Sequence, residues 1–469
     1  MRAVLTRDEM RAADAAALAH VSHETLVTRA GTAVAMAALR RVGGGSGYGR
    51  RVVVVAGKGS NGADGRVAAA VLRRRGARVT VLDAADAPSD LPPCDLVIDG
   101  AYGTGFKGSY DAPTAPAGTP VLAIDIPSGV DADSGEAPGA AVRADRTVTF
   151  AALKPGLLQG EGPACSGAVE VADIGITFPT PAALVVEDAD LAALPRRARD
   201  GNKWNHAVGI VAGSPGMEGA AILSTRGAMA GGAGMIRLGS PGDPVAGWPV
   251  EAVRMHLPGS GWAGAFLEAA AKCKAIVVGP GLGTDPETAH EIRAVVAATP
   301  VPVVIDADAL TALGDAACAR TLLDKRSAPT ILTPHDGEYA RIAGVMPGPD
   351  RLAAARALAE STGAVVLLKG PLTAVAAPGA GAGARAAQPD VLLSAAGVPA
   401  LATAGSGDVL SGVIGAFCAR GEPAHRAAAL GAHVHGRSAS LGPREGLVAG
   451  DLPELVGWVL SSALPRGCV

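Results

Sequence analysis

Short β-branched runs that stop at glycine or an acid recur along the whole chain, most of them followed by a helical stretch. Residues Arg51–Ala56 (RVVVVA) end at Gly57, Val79–Leu82, Leu96–Asp99 and Val121–Asp125 stop at an acid, and Thr147–Phe150 is a further β-branched run. Such runs are short, apolar throughout and flanked by turn residues, as expected of strands buried on both faces of a parallel sheet layered with helices. A second series follows: Ala207–Ala212, Met235–Leu238, Ala275–Val278, Val303–Ile305, Thr330–Leu332, Val365–Leu368 and Thr373–Ala376. Apolar residues at helical spacing over Asp8–Leu18 and Thr25–Val42 predict two helices ahead of the first strand. Gly57–Gly65 reads as a loop, Arg66–Arg75 as a helix, and helices dominate after Asp408.

Between the two series the pattern weakens. Pro179, Pro181 and Pro195 surround a polar run, Arg196–Asp200. That segment predicts a boundary between two doubly wound α/β domains, residues 1–190 and 191–469. The Ala/Gly/Pro-rich stretch 377–389 is expected to be a surface loop or hairpin end.

Composition narrows the function classes. Aromatic residues are 3% of the 469, so the core must be built from Ala, Val, Leu and Ile. The net charge of -3 gives no single-sign field to recruit nucleic acid or an anionic membrane. The six cysteines contain no CxxC pair, which argues against a disulfide or zinc framework and fits a reducing cytoplasm. Acidic Asp8 and Glu9 precede any apolar run, so no signal peptide is expected, and the longest uncharged stretch, 17 residues between Asp390 and Asp408, is too broken by Gly, Pro, Ser and Thr to span a bilayer.

Three strand ends in the first half carry chemistry. Gly57-Lys-Gly-Ser-Asn-Gly-Ala-Asp-Gly65 follows a strand and opens a helix, a place where free amides meet an anion. Its glycines do not have strict dinucleotide-fold spacing, and Asn61 and Asp64 also suit ordinary turn and capping roles. Asp99 and Asp125 each end a strand, and Ser128 follows the second. Ligands bind at such carboxyl ends in open α/β sheets, and a cluster of hard oxygens suits a hard cation.

These loops, with Thr147–Phe150 and Lys154-Pro-Gly156, resemble the NAD(P)H-hydrate epimerase family, whose loop usually reads GxGNNGGDG; here Ser60 and Ala63 depart from it. The resemblance implies a Rossmann-like fold, with K+ held by Asn61, Asp99 and Ser128. It implies substrate contacts at Ser60, Asn61, Gly62, Ala63 and Asp64. A second set falls at Gly103, Thr104, Gly105, Phe106, Lys107, Gly108 and Ser109. The implied reaction is epimerisation at C6 of a hydrated reduced nicotinamide, with Asp125 placed for proton transfer. Lys154 suits either a phosphate or a turn cap.

The second half holds Gly213-Ser-Pro-Gly-Met-Glu-Gly-Ala-Ala221, Gly279-Pro-Gly-Leu-Gly283, Asp306-Ala-Asp-Ala-Leu310, Thr333-Pro-His-Asp-Gly-Glu338, Lys369–Thr373 and Gly405-Ser-Gly-Asp408. The last is a Gly-rich loop feeding a helix N-terminus, an anion cradle with an acid in the first turn. Asp408 there suits removal of a proton from a hydroxyl attacking a phosphoryl group. In this order the motifs resemble the ribokinase-like superfamily, closest to its ADP-dependent NAD(P)H-hydrate dehydratase branch.

That resemblance implies AMP contacts at Lys369, Gly370, Pro371, Leu372, Thr373 and Gly407. It implies hydrated-substrate contacts at Ala220, Gly283, His335 and Asp408, with Mg2+ accompanying the nucleotide. Together the two resemblances imply a cytoplasmic, homo-oligomeric enzyme that repairs hydrated NADH and NADPH, with ADP as co-substrate. A small-molecule kinase carrying a regulatory or RNA- or protein-binding N-terminal module is the alternative. The Asp99, Asp125 and Ser128 set and the lack of basic excess weigh against RNA.

Overall fold

The computed structural model describes residues 1–242, 247–379 and 390–463. The chain divides into two compact units: Arg2–Ala182 and, counted together with Met1, Ala183–Val469. The division falls before the expected boundary at residue 190. The cause is a short strand, Ala183–Val185, whose residues pair in parallel with Val391–Leu393 of the second unit's sheet. The expected surface loop at 377–389 lies outside the described residues from position 380 onward.

The first unit opens with β1 (Arg2–Val4) and carries a six-stranded parallel sheet. Its strands are β2 (Arg51–Ala56), β3 (Arg78–Asp83), β4 (Leu96–Gly100), β5 (Val121–Ile124), β6 (Arg146–Phe150) and β7 (Ala168–Ala172), in the order β3-β2-β4-β5-β6-β7. Strand alternation splits the core in two. Val52, Val54, Leu96, Ile98, Leu122 and Ile124 bury one face under helices Arg7–Leu18, His23–Gly43 and Ser60–Arg74. Val53, Val55 and Val97 point the other way, into a small cluster with Leu91, Cys94 and Ala101. Loops rather than helices cover that face, because the connections after β3, β4 and β5 are rich in Pro and Gly.

The second unit has β8 (Ala183–Val185), β9 (Ala207–Val211), β10 (Met235–Pro241), β11 (Val253–Leu257), β12 (Ala275–Val278), β13 (Val303–Ile305), β14 (Thr330–Leu332), β15 (Val365–Leu368), β16 (Thr373–Ala376) and β17 (Val391–Ser394). Their order is β8-β17-β16-β15-β14-β13-β12-β9-β10-β11. From β11 to β15 the pairs are parallel, but β16 runs antiparallel to both β15 and β17. The short turn between Leu368 and Thr373 permits only a hairpin, since a parallel return needs a long crossover. Helices Glu218–Ala230, Ser406–Ala419, Ala424–Leu441 and Leu452–Ser462 bury the sheet face that carries Val208, Ile210, Val277, Val304 and Ile331.

Both sheets reverse their winding direction at one place. In the first unit the reversal lies between β2 and β4; in the second it lies between β9 and β12. Open α/β sheets bind ligands in the crevice at the carboxyl end of such a reversal. The backbone closes each crevice's base, through Gly57 N to Gly100 O at 3.0 Å and Gly213 N to Pro280 O at 2.7 Å.

Candidate functional site

At the first reversal the helix after β2 begins at Ser60, not at Arg66. Glycine is required inside its first turns because the helix presses on the strand loop. A Cβ on Gly62 would sit 1.8 Å from Gly57 O, and one on Gly57 would sit 1.9 Å from Ala101 O. Ser60, Asn61 and Asp64 thereby face a cavity of about 190 Å³, together with Thr104, Asp125, Phe150 and Lys154. The helix Arg7–Leu18 supplies Met10, Asp14 and Leu18 to its wall, and His23 and Leu26 complete that side.

Asp125 is the electrostatic centre. Its backbone is left-handed, at φ 66°, which costs a non-glycine residue about 1–3 kcal/mol. Neighbouring bonds hold it there: its amide donates to Val148 O at 2.7 Å, and its carboxylate accepts from Lys154 Nζ at 2.6 Å and Thr149 Oγ1 at 3.0 Å. The Lys154 ammonium is 1% exposed and also donates to Thr149 Oγ1 at 2.8 Å and Phe150 O at 3.0 Å. Those three acceptors satisfy all its protons. Burial, and after it the Asp125 charge, push Asp64 up to about 8. Burial likewise raises Asp14. The cavity therefore holds one ion-paired carboxylate beside a carboxyl group protonated at neutral pH, a division that suits acid–base work.

Asn61, Asp99 and Ser128 meet around the Tyr102 backbone. Asn61 Nδ2 donates to Tyr102 O at 2.9 Å and Ile124 O at 2.7 Å. Ser128 Oγ donates to Asp99 Oδ1 at 2.6 Å, and Ser128 N to Asp99 Oδ2 at 2.8 Å. Tyr102 N in turn donates to Ser128 Oγ at 2.9 Å. The donor set is entirely oxygen, which fits a hard monovalent cation rather than zinc. Burial raises Asp99 to about 6 despite these bonds, so a nearby positive charge would offset a real cost.

Of the second loop, Thr104 lines the cavity and Gly103 packs on the Asn61 amide. Gly105, Phe106, Lys107, Gly108 and Ser109 are not among its lining residues; Phe106 instead stacks with Tyr102, ring centroids 4.9 Å apart. Gly62 and Ala63 are not among the lining residues either; Gly62 packs against Gly57. The sequence reading missed Asp14 as a wall residue, though an acid inside the Ala-rich stretch RAADAAAL was the available signal.

At the second reversal, Asp408 sits in the first turn of helix Ser406–Ala419, entered through Gly405 at φ 85°. Burial, then the charge of Asp306, push Asp408 up to about 7, against the lowering influence of Lys369. Lys369 Nζ lies 2.8 Å from Asp306 Oδ1 and 3.8 Å from Glu338 Oε2. Burial alone would depress the ammonium, but Asp306 and Glu338 outweigh it and hold Lys369 above its ordinary range. A Cβ on Gly407 would sit 3.5 Å from Lys369 Nζ and 3.9 Å from Asp306 Oδ2, so the helix amides open onto the same spot.

Gly283 N donates to Asp308 Oδ2 at 2.9 Å, which ties the second Gly-rich loop to this cluster. Ala220 stands against Gly281, where an added Cβ would come within 2.9 Å of it. Ala307, between the two acids, is strained at φ 50°. His335 caps the helix Asp336–Ala343, its Nδ1 accepting from Gly337 N at 3.0 Å and Glu338 N at 3.3 Å. Gly370, Pro371, Leu372 and Thr373 form the β15–β16 hairpin turn, where Thr373 Oγ1 donates to Gly370 O at 3.1 Å and Leu372 is buried. Asp306 and Glu338 lie within recognisable motifs, but only the fold shows that they share one ammonium; Asp308 instead accepts from Gly283 N. Asp306, Glu338 and Asp408 thus surround the Lys369 ammonium, and among the described residues no group of three acids, histidines or cysteines is arranged to hold a metal ion by itself.

Comparison with known proteins agrees with both halves. Residues 208–459 match the family NAD(P)H-hydrate dehydratase, and residues 23–90 and 82–156 match the YjeF-related protein N-terminus. The bifunctional NAD(P)H-hydrate repair enzyme Nnr of Mycobacterium leprae is 39% identical over 471 residues, covering 92% of each chain. The protein of the same name from Moorella thermoacetica is 35% identical over 476 residues, covering 88% of this chain and 87% of its own. Among solved structures, the ADP/ATP-dependent NAD(P)H-hydrate dehydratase of Bacillus subtilis, co-crystallised with ATP and Mg2+, aligns with TM-score 0.50 and 27% identity over 59% of this chain and 97% of that one. A ribokinase-like superfamily protein of Enterococcus faecalis aligns with TM-score 0.51 at 19% identity, which speaks to the fold.

Proposed function

The chain belongs to the family of bifunctional NAD(P)H-hydrate repair enzymes, with an epimerase domain and a dehydratase domain, and from that premise we propose the residues that carry each reaction. In the second unit, Asp408 takes the proton of the C6 hydroxyl as that oxygen attacks the β-phosphoryl group of ADP. AMP leaves, and the phosphorylated hydroxyl becomes a good leaving group. Loss of phosphate then restores the reduced nicotinamide. The sum is hydrate plus ADP giving NAD(P)H, AMP and phosphate. Amides at the start of helix Ser406–Ala419 and the Lys369 ammonium stabilise the developing phosphoryl charge. Mg2+ would arrive with the nucleotide, held mainly by its phosphates, and would supply further charge neutralisation. Lys369–Thr373 and Gly407 take the AMP portion, while Ala220, Gly283 and His335 take the hydrate.

In the first unit, Asp64 protonates the departing C6 hydroxyl, which leaves as water. Water then adds to the opposite ring face, its proton passing to Asp125. Lys154 holds the Asp125 carboxylate aimed into the cavity, and Ser60, Asn61 and Thr104 position the ring. Gly62, Ala63 and the loop Gly103–Ser109 shape the approach for the nucleotide portion. K+ held by Asn61, Asp99 and Ser128 would supply a fixed positive charge beside the phosphates. The enzyme works in the cytoplasm, on both NADH and NADPH hydrates, as a homo-oligomer.

The observation that carries this reading is Asp408, half-buried at a helix N-terminus beside the Lys369–Asp306 pair. Its test is product analysis with ADP and the S hydrate. Wild type should release AMP and phosphate in step with NAD(P)H, with no stable phosphorylated product. Asp408→Asn should lower kcat by about 10²–10⁴ with the R-to-S epimerisation untouched. Because the base must be ionised, kcat should rise with pH up to about 7 and level off above it. An Asp408→Asn enzyme of wild-type rate, or a persistent phosphorylated product, removes the assignment.

A further inference from the structure

The first unit has a second cavity, on the sheet face that the helices leave uncovered. It measures about 300 Å³ and is lined by Val55, Leu91, Val97 and Val121, with Pro113 and Ala115 from the loop above. Val55 and Val97 point to this face because they alternate with the helix-facing Val54, Leu96 and Ile98. Its volume is about twice the ~150 Å³ of an apolar cavity that stays dry and admits benzene.

Four polar side chains line it, Asp99, Tyr110, Thr114 and Arg143, and three of them set its chemistry. Tyr110 lines it, and the Tyr110 hydroxyl is buried with no hydrogen-bond partner among the described residues. Burial, and then the nearby Asp99 charge, keep that phenol protonated. A buried hydroxyl without a partner costs about 1–3 kcal/mol, so the cavity is short of one polar atom. Asp99 forms part of the floor, where its oxygens already accept from Ser128 N, Ser128 Oγ and Ala101 N. An anion placed there meets like charge. An ammonium there would have to share Asp99 with the cation that this carboxylate is proposed to hold together with Asn61 and Ser128, so the two like charges would repel. Arg143 lines the cavity too, and is exposed. Its positive charge further disfavours a cation on the way in.

We propose that this reverse-face cavity is a binding site for a small uncharged molecule of about two fused rings that carries a single hydroxyl or carbonyl oxygen, the oxygen pairing with the Tyr110 hydroxyl. The site is separate from the cavity that holds Asp64 and Asp125, although Asp99 stands at its floor with Ser128 behind it. Occupancy fills the apolar space against Val55, Val97 and Val121 and satisfies the one unpartnered polar atom.

The test uses full-length protein and four probes of one shape: 2-naphthol, naphthalene, 2-naphthoate and 2-naphthylmethylamine, with binding read by ligand-observed NMR titration. The site predicts saturable binding of 2-naphthol about tenfold tighter than naphthalene, the equivalent of one hydrogen bond. Both charged probes should bind at least tenfold more weakly than 2-naphthol. Tyr110→Phe should bring 2-naphthol down to the naphthalene level while leaving naphthalene unchanged. Ala115→Leu, which fills the cavity from the loop side, should weaken both neutral probes. Absence of saturable 2-naphthol binding overturns the proposal. So does binding indifferent to both substitutions, which would locate the probe elsewhere. Preference for the naphthoate or the amine overturns the uncharged class.

Discussion

Single residues in this chain work by being held where they would not rest in water. Lys154 is the clearest case, an ammonium with 1% exposure whose three acceptors include the Asp125 carboxylate at 2.6 Å. Lys154→Met keeps much of the volume but strands that carboxylate. A loss of about 3–5 kcal/mol in urea unfolding is expected, together with loss of epimerisation. Asp64 works in the opposite sense. Outside a fold its carboxyl titrates near 3.8, and in the folded chain it is raised to about 8. The folded state thus retains a proton that the unfolded state has released. Its contribution to stability is complete below about pH 4 and disappears as pH rises through about 8. Asp64→Asn removes that slope. Between about pH 4 and 8 the urea midpoint of wild type should fall more steeply than that of Asp64→Asn; equal slopes would show that Asp64 is not the group responsible.

At the scale of elements, glycine decides how closely a helix meets a strand. The helix from Ser60 approaches β2 so tightly that a Cβ on Gly62 has 1.8 Å of room before Gly57 O. Gly62→Ala should therefore cost about 1–3 kcal/mol through overpacking and abolish epimerisation. Ala63→Gly, one position on, should cost about 1 kcal/mol of helix propensity and leave the activity in place, as measured by R-hydrate consumption. These close approaches explain what was hard to read from sequence. A glycine-dense stretch at 57–65 looks like a loop, yet its second half is helix under steric pressure. The buried central strands, such as RVVVVA at 51–56, were legible because both faces are covered. Strands β7 (AVEVA) and β11 (VRMHL) were not legible: they lie at sheet edges, where half-exposed sides admit Glu, Arg and His and break the apolar run. Strand β8, of three residues, is too short to carry a pattern and shifted the division to Ala182.

At the scale of the whole molecule, the two units repeat one arrangement: a wholly or largely parallel sheet with a reversal of winding and acids at its carboxyl edge. The motifs that mark these edges were legible because Gly-rich loops and terminal acids are local features of sequence. The partners that tune them were not, since Lys154 with Thr149 and Asp125, or Lys369 with Asp306 and Glu338, meet only through folding. Each unit carries its own candidate acids, Asp64 and Asp125 in one and Asp408 in the other, so on the proposed assignment each activity should be removable without the other.

That independence is the central claim, and absorbance at 340 nm measures it directly. A mixture of R and S hydrates is given to wild type, Asp125→Asn and Asp408→Asn, with and without ADP. Wild type with ADP should recover nearly all the reduced cofactor in one fast phase. Asp125→Asn should recover the S share at the wild-type rate and the R share only as fast as the hydrates interconvert unaided. Asp408→Asn should recover almost nothing, while chromatography shows R and S still equilibrating. Fast and complete recovery by Asp125→Asn, or recovery without nucleotide, would contradict the assignment of one reaction to each unit.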